Sequence, residues 1–207
     1  MSPGTRGVLA GLIAGGVRLL AGTRLQAGLT PPATNRIYFA NHGSNLDFVV
    51  IWAGLPAALR ARTRPVAAAD YWSRGVRSFL ARDIFHAVLI ARERVSRANN
   101  PLEAMCAALD GGADLIIFPE GTRSMDGTMQ EFKAGLFHLA KKFPAAELAP
   151  VYLENLNRIL PKGEILPVPV MAGVRFGRPV SGPLDGEAKR DFLERCRGAV
   201  RELGAPV

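Results

Sequence analysis

Two short polar segments of the sequence carry residue types that do acid–base and anion-binding chemistry. The first runs from Asn41 to Asp47 and contains His42. A carboxylate that accepts the proton of one imidazole nitrogen leaves the other nitrogen free to take a proton from a hydroxyl. His42 is therefore the candidate general base and Asp47 its orienting partner. Because a His and an Asp also meet at this spacing by chance, the pair alone is weak evidence.

The second segment, Phe118 to Ser124, follows the apolar run 115–118 and places Glu120, Gly121 and Arg123 in one turn. A glycine lets backbone N–H groups approach an anion, and an arginine supplies a bidentate donor for phosphate. A polar turn in which Glu120 and Arg123 pair with each other is the alternative, and it is open at this point.

Both segments follow predicted strands, 37–40 and 114–118, and the first leads into a predicted helix that starts at Asp47 and ends near residue 55. Further strands are predicted at 65–69, 87–90, 148–153 and within 165–176. Strands that alternate with helices favour an α/β fold with a mainly parallel sheet flanked by helices. Polar turns that follow strand ends then lie along one edge of the sheet, where open α/β sheets place their sites.

The predicted helices carry recognisable boundary signals. Asn100 can cap a helix with Pro101 at its first position and Glu103 reaching back, and Gly111-Gly112 ends it. Shorter helices are predicted at 71–79 and 132–143. Apolar residues at helical spacing predict a closing helix; they are Phe192, Cys196, Val200 and Leu203.

The amino terminus combines an apolar run with basic residues, in a chain of net charge +8. The uncharged stretch between Arg6 and Arg18 is too short to span a bilayer, which takes about 20 residues. We predict that residues 1–30 form an apolar and basic helical segment at a membrane interface, with 31–207 as the catalytic domain. A first helix packed on the core is the alternative.

Other sequence features argue against competing functions. Cys106 and Cys196 lie in apolar contexts, which indicates buried thiols in a reducing compartment and neither a disulfide framework nor a metal site. A basic protein could bind nucleic acid, but no helix-turn-helix, zinc or aromatic-platform pattern is present, and we expect no nucleic-acid partner. A serine esterase would need a Gly-x-Ser-x-Gly elbow, and the sequence has none.

Together the two segments resemble the glycerolipid acyltransferase family, the 1-acylglycerol-3-phosphate acyltransferases and their relatives. The family's Asn-His-x4-Asp motif is met at 41–47, and its Phe-Pro-Glu-Gly-Thr-Arg-Ser motif at every position of 118–124. The Phe-Lys-x-Gly continuation is met at 132–135. The stretch that corresponds to the Gly-x-x-Phe-Ile-x-Arg motif is 86–92, in which Arg92 is kept but the leading Gly and the Phe are not, with Arg94 as the alternative ligand. The resemblance covers about residues 37–180.

The resemblance implies a one-step acyl transfer in which His42 deprotonates the acceptor hydroxyl and Asp47 holds the imidazole ring. It implies that the glycerol-phosphate end of the acceptor is bound by Glu120, Gly121, Thr122, Arg123, Arg92 and Lys133. It calls for no metal and no cofactor, with acyl-CoA or acyl carrier protein as the acyl donor.

The acceptor that the resemblance implies is a lysophospholipid, above all 1-acylglycerol-3-phosphate, which would give phosphatidic acid. Glycerol-3-phosphate, another lysophospholipid or an amino-acid lipid is the alternative acceptor, and a non-catalytic basic module that binds membrane or nucleic acid is the rival function. The expected location is the anionic cytoplasmic face of a membrane, with the protein peripheral or monotopic.

Overall fold

The computed structural model describes residues 2–21, 32–91, 100–124, 127–154 and 173–205. Within these ranges the strands form one six-stranded sheet in the order β3-β2-β4-β1-β5-β6, parallel throughout except for β6, which runs antiparallel to β5. This confirms the predicted α/β fold with a mainly parallel sheet. Strands β1 to β6 cover Arg36–Ala40, Thr63–Ala68, Val88–Ile90, Asp114–Ile117, Glu147–Glu154 and Gly173–Phe176.

Helices cover both faces of the sheet, as burial of parallel strands on both sides requires. Helices α1 to α8 cover Pro3–Ala21, Asp47–Gly54, Ala57–Arg62, Ala69–Trp72, Gly75–Phe79, Pro101–Asp110, Gly135–Lys142 and Lys189–Gly204. Helix α5 continues into a π-helical turn, Leu80–Ile84. The alternation of the central strand β1 divides the core, because Tyr38 faces the layer of α1, α2 and the π-turn while Ile37 and Phe39 face α6, α7 and α8.

The boundary signals of α6 act as the sequence predicts. The side chain of Asn100 accepts a hydrogen bond from the backbone N–H of Leu102 at 3.0 Å, and Pro101 is the first helical residue. The side-chain amide of Asn100 donates to Oε1 of Glu103 at 3.3 Å. The helix ends at Asp110, and Gly112 takes a φ of +78°, a conformation that glycine adopts without strain.

Two predicted helices differ from the structure. The helix predicted at 71–79 is divided, since α4 ends at Trp72 and α5 begins at Gly75, whose φ of +55° breaks the helical path. The helix predicted from residue 132 begins instead at Gly135. Its expected first turn lies outside the helix, where the backbone N–H of Lys133 donates to the carbonyl of Pro119 at 2.8 Å. Of the strand predicted within 165–176, the part at 173–176 is present and the remainder lies outside the described residues.

Helix α1 confirms a helical amino terminus and packs one of its faces on the core. Ala14 is buried, and Leu9, Ile13 and Val17 pack beside it against the layer that includes α2. The opposite face carries an exposed apolar stripe, made of Val8, Leu12 and Leu19. In the described part of the chain no helix combines the length and apolar character needed to cross a bilayer. Residues 22–31 lie outside the described ranges.

Candidate active site

His42 and Asp47 meet at the carboxyl end of β1, where the chain turns into α2. The Nδ1 atom of His42 lies 2.7 Å from Oδ2 of Asp47. The same oxygen accepts hydrogen bonds from the backbone N–H groups of Gly43 at 2.7 Å and Ser44 at 2.9 Å, so the carboxylate is fixed in the turn. Since an ionised carboxylate only accepts, Nδ1 carries the proton and Nε2 is left with its lone pair. This arrangement is that of a general base with its orienting partner.

The turn that follows β4 makes three contacts with His42. The ring of Phe118 stacks on the imidazole, with centroids 4.2 Å apart and planes 17° from parallel. The carboxylate of Glu120 accepts the backbone N–H of His42 at 2.7 Å. The backbone N–H of Ser124 donates to the carbonyl of His42 at 2.8 Å. The segment 118–124 therefore fixes both the backbone and the ring of the candidate base.

Glu120 is 1% exposed and belongs to the interior of this turn. Its second oxygen accepts the backbone N–H of Gln130 at 2.8 Å, so both oxygens are occupied by the protein. Burial raises the pKa of the Glu120 carboxyl, and the hydrogen bonds from Gln130 and His42 offset part of that rise. Glu120 and Arg123, both described, form no ion pair within 4.0 Å, which excludes the turn in which they pair with each other.

Gly121 and Lys133 come together at the surface of the same turn. Gly121 has a φ of +69°, and a Cβ atom built there would lie 2.8 Å from Nζ of Lys133. The ammonium group thus sits directly over a position that only glycine can occupy without strain. Thr122 is exposed and Arg123 is partly buried beside it. Of these groups Lys133 lines the cavity of the site and gives it a positive charge.

An apolar cavity of about 190 Å³ opens beside this pair of turns. His42, Asn45, Gly121 and Lys133 form its polar end, and the remainder is mostly hydrocarbon, including side chains from β3, α2, α4, α6 and α7. Its main apolar residues are Phe48, Trp72, Ile90, Met105, Phe118 and Leu136. The structure therefore places a candidate base and a cation at one end of an apolar space.

Sequence reasoning did not find this cavity or the contact between Glu120 and His42. The cavity residues come from distant segments whose apolar side chains look like ordinary core in the sequence. Among the predicted site residues, His42, Asp47, Glu120, Gly121, Thr122, Arg123 and Lys133 all lie on or directly beneath the two turns. Arg92 and its alternative Arg94 lie outside the described residues.

The sequence matches a protein-family model described as Acyltransferase over residues 26–168. The chain belongs to the acyltransferase family. The match includes both turns of the site, and the family resemblance inferred from the two motifs is confirmed.

The sequence is also similar to individual members of the acyltransferase family. The 1-acyl-sn-glycerol-3-phosphate acyltransferase alpha of Homo sapiens is 34% identical over 131 residues, which is 60% of this chain and 44% of that protein. The 1-acyl-sn-glycerol-3-phosphate acyltransferase of Limnanthes douglasii is 31% identical over 147 residues, which is 70% of this chain and 50% of that protein. The chain thus spans half or less of the length of these relatives.

A solved acyltransferase structure has the same fold. The crystal structure of the 1-acyl-sn-glycerophosphate (LPA) acyltransferase PlsC from Thermotoga maritima matches with a TM-score of 0.72 and 24% sequence identity. The match covers 98% of this chain and 82% of that structure. At this identity the likeness establishes the shared architecture of sheet and helices.

Proposed function

We propose that this acyltransferase moves a fatty acyl group from a thioester to the hydroxyl of a lysophospholipid. The observation that carries the proposal is the His42–Asp47 pair, whose base opens onto an apolar cavity with Lys133 at its polar end. We propose 1-acylglycerol-3-phosphate as the acceptor, with phosphatidic acid as the product, because relatives from several organisms are named for that acceptor.

The proposed reaction proceeds in one step of attack and release. Nε2 of His42 takes the proton of the acceptor hydroxyl while its oxygen attacks the thioester carbonyl. The carbon–sulfur bond then breaks, and the departing thiolate receives the proton from the imidazolium. Asp47 stabilises the imidazolium meanwhile, and such a base contributes about 10²- to 10⁴-fold in rate. The proposal uses acyl-CoA or acyl carrier protein as donor and involves no metal or cofactor.

The two ends of the cavity suit the two substrates. Its apolar walls are suited to the hydrocarbon chain of the donor, since burial of apolar surface contributes about 25 cal/mol per Å². We propose that Lys133 at the polar end supplies donors for the acceptor phosphate together with Thr122 and Arg123 of the turn 118–124, and that Arg92 adds a further charge. Glu120 lies beneath this surface, where its contacts support His42.

The amino-terminal helix supports a location at the membrane surface. Val8, Leu12 and Leu19 recur at helical spacing on the face of α1 that does not pack on the core, and they are 65%, 67% and 84% exposed. A helix with such a stripe lies in the interface with its apolar face in the headgroup region. The net charge of +8 favours an anionic leaflet, and we propose a peripheral or monotopic protein on the cytoplasmic face.

The test measures release of free thiol from an acyl-thioester by purified protein with membrane lipid and a panel of lysolipid acceptors. We expect release that depends on one acceptor and is lost in His42→Ala. His138→Ala is the matched control, because His138 is an exposed histidine on α7, and it should retain wild-type release. Circular dichroism checks that both variants fold. Absence of release with every donor and acceptor, or full activity in folded His42→Ala, would contradict the proposal.

A further inference from the structure

A second cavity, of about 480 Å³, lies between α1, α3 and the π-helical turn. Its walls include Arg6 and Ala10 of α1, Trp52 of α2, Arg60 of α3 and Asp83 of the π-turn. Helix α3 and the π-turn lead into the amino ends of β2 and β3, whereas His42 follows the carboxyl end of β1. Since these strands are parallel, the cavity lies toward the edge of the sheet opposite the candidate active site.

Two neighbouring, partly buried arginines, Arg60 on the cavity wall and Arg18 beside it on α1, have no carboxylate partner among the described residues. Arg18 donates to the carbonyls of Ala53 at 2.6 Å and Leu55 at 3.3 Å, and Arg60 donates to the same Leu55 carbonyl at 3.3 Å. In the described part of the chain neither has a carboxylate within 4.0 Å. Burial lowers the pKa of Arg60, and the charge of Arg18 lowers it further. Two neighbouring cations held away from water in this way favour a bound anion.

The other ionisable groups that face the cavity do not supply this anion. Asp83 forms an ion pair with Arg6 at 2.8 Å, which leaves that pair neutral. His86 borders the cavity and brings no negative charge. Among the described residues that line the cavity, Arg60 therefore keeps an uncompensated positive charge, and Arg18 lies beside it at the shared Leu55 carbonyl.

Buried donors without acceptors point to the same conclusion. Trp52 is 2% exposed, and its Nε1–H has no acceptor among the described residues. The Nε–H of Arg6 is likewise buried without an acceptor there. Buried N–H groups are rarely left unpaired, because the loss of hydration costs about 1–3 kcal/mol each. The guanidinium of Arg60 lies 5.0 Å from the Trp52 ring centroid, and Arg6, Trp52 and Arg60 all belong to residues that line the cavity.

We propose that this cavity binds the phosphate headgroup of an anionic phospholipid from the membrane on which α1 lies. A phosphate provides the missing negative charge and several acceptor oxygens for the arginine and indole N–H groups. The lipid source follows from α1, which forms one wall of the cavity and exposes the apolar stripe on another face. An interfacial helix sinks about 5–10 Å and is about 10–12 Å across, so the side of α1 away from the stripe, which carries Arg6 and Ala10, lies at the outer level of the headgroups. This inference rests on the membrane location proposed above.

The two tryptophans of the sequence allow a direct test. Trp72 lines the apolar cavity beside His42, and Trp52 lines the second cavity proposed to bind the headgroup. Trp72→Phe therefore leaves Trp52 as the sole indole reporter. We expect short-chain phosphatidylglycerol, below its micelle concentration, to change Trp52 fluorescence saturably. Short-chain phosphatidylcholine and inorganic phosphate should bind at least about tenfold more weakly. Equal affinity for inorganic phosphate would show a free-anion site and overturn the lipid assignment.

Arg60→Gln should weaken phosphatidylglycerol binding about tenfold or more, since it removes a charge-assisted donor. Arg64→Gln is the matched control, because Arg64 is an exposed arginine on the neighbouring strand β2 and the charge change is the same. Sedimentation with phosphatidylglycerol vesicles repeats the comparison in protein that keeps both tryptophans. Equal weakening by Arg64→Gln would indicate diffuse attraction and overturn the proposal, as would unchanged binding in folded Arg60→Gln.

Failure of this inference is distinguishable from failure of the proposed function. The rate of acyl transfer, measured in detergent with a short-chain acceptor, should be unchanged in Arg60→Gln, since Arg60 does not line the apolar cavity beside His42. His42→Ala should lose transfer and keep the Trp52 response to phosphatidylglycerol. Loss of that response in His42→Ala would place the lipid at the catalytic site and overturn a separate headgroup cavity.

Discussion

The carboxylate of Glu120 accepts the backbone N–H of His42 at 2.7 Å, which joins two turns that lie 78 residues apart in the chain. The contact links the ends of β1 and β4, which are neighbouring parallel strands. The motif at 118–124 therefore has a structural task besides the substrate binding that we propose for it, because it positions the candidate base of the motif at 41–47.

Replacing Glu120 tests whether it positions His42 or binds the acceptor. We expect Glu120→Ala to lower kcat about 10- to 100-fold, the effect of losing a hydrogen bond to a charged group, with KM for the acceptor little changed. Glu120→Gln keeps one acceptor oxygen and should recover part of kcat. Steady-state kinetics on both variants separates the two roles. A raised KM at unchanged kcat would instead make Glu120 an acceptor ligand.

The buried carboxyl of Glu120 should also leave a signature in the pH dependence of stability. Its pKa is raised above the ordinary 4.5 by burial, so between the unfolded and folded values the folded chain holds more protons. The free energy of unfolding therefore falls as pH rises through that window. Glu120→Gln removes this fall, and its stability relative to wild type should grow as pH rises above about 4.5. Urea unfolding across the range measures it, and a constant difference would contradict the assignment.

Gly121 should tolerate no side chain. Its φ of +69° disfavours any other residue by roughly 1–2 kcal/mol, and a Cβ would displace Nζ of Lys133. We expect Gly121→Ala to lower the free energy of unfolding by about that amount and to weaken acceptor binding. Gly198→Ala in α8 is the control, since a Cβ there meets nothing within 4 Å, and it should stabilise by about 0.5–1 kcal/mol. Similar effects of the two substitutions in urea unfolding would contradict the expectation.

Arg123 should act on the acceptor and leave the donor reaction intact. Arg123→Ala removes a partly buried guanidinium from the turn 118–124, and we expect KM for the acceptor to rise about tenfold with kcat unchanged. Lys142→Ala, which removes an exposed cation at the end of α7, should leave KM unchanged. A fall in kcat alone would mean that Arg123 acts on the chemical step.

The apolar cavity should set which acyl chains are transferred. Met105 lines it from α6, and Met105→Trp fills part of its volume. We expect kcat/KM for palmitoyl-thioester to fall relative to octanoyl-thioester by about tenfold or more, because overpacking costs about 1–3 kcal/mol. Met105→Leu conserves volume and should keep the wild-type ratio. An unchanged ratio in folded Met105→Trp would place the acyl chain elsewhere.

The elements that sequence reasoning placed well are those with local signals. The cap at Asn100 and the apolar runs of β1 and β4 depend on neighbours in the chain, so their boundaries could be derived without the fold. Residues 132–134 show the limit of such reasoning. Their sequence is compatible with a helix, but the backbone N–H of Lys133 bonds instead to the distant carbonyl of Pro119, and the helix begins only at Gly135.

The features of the candidate site can likewise be divided into those that follow from local sequence and those that depend on the fold. His42 and Asp47 are close in sequence, and their spacing across a turn predicted the contact that the structure shows. The environment of Glu120 could not be derived, because its partners are backbone groups of His42 and Gln130 in other segments. The apolar cavity depends on seven helices and strands, and its residues carry no pattern that separates them from core.

The three contacts from the segment 118–124 to His42 also bear on when this site comes into being. The imidazole is stacked by Phe118, and the backbone of His42 is held by Glu120 and Ser124. A nascent chain that extends only through β1 and α2 contains both His42 and Asp47. It does not yet contain the groups of 118–124 that fix the position of His42. The base is in place only after synthesis has passed Ser124 and β4 has paired with β1. Pairing of these two strands is thus the folding step that fixes the position of His42.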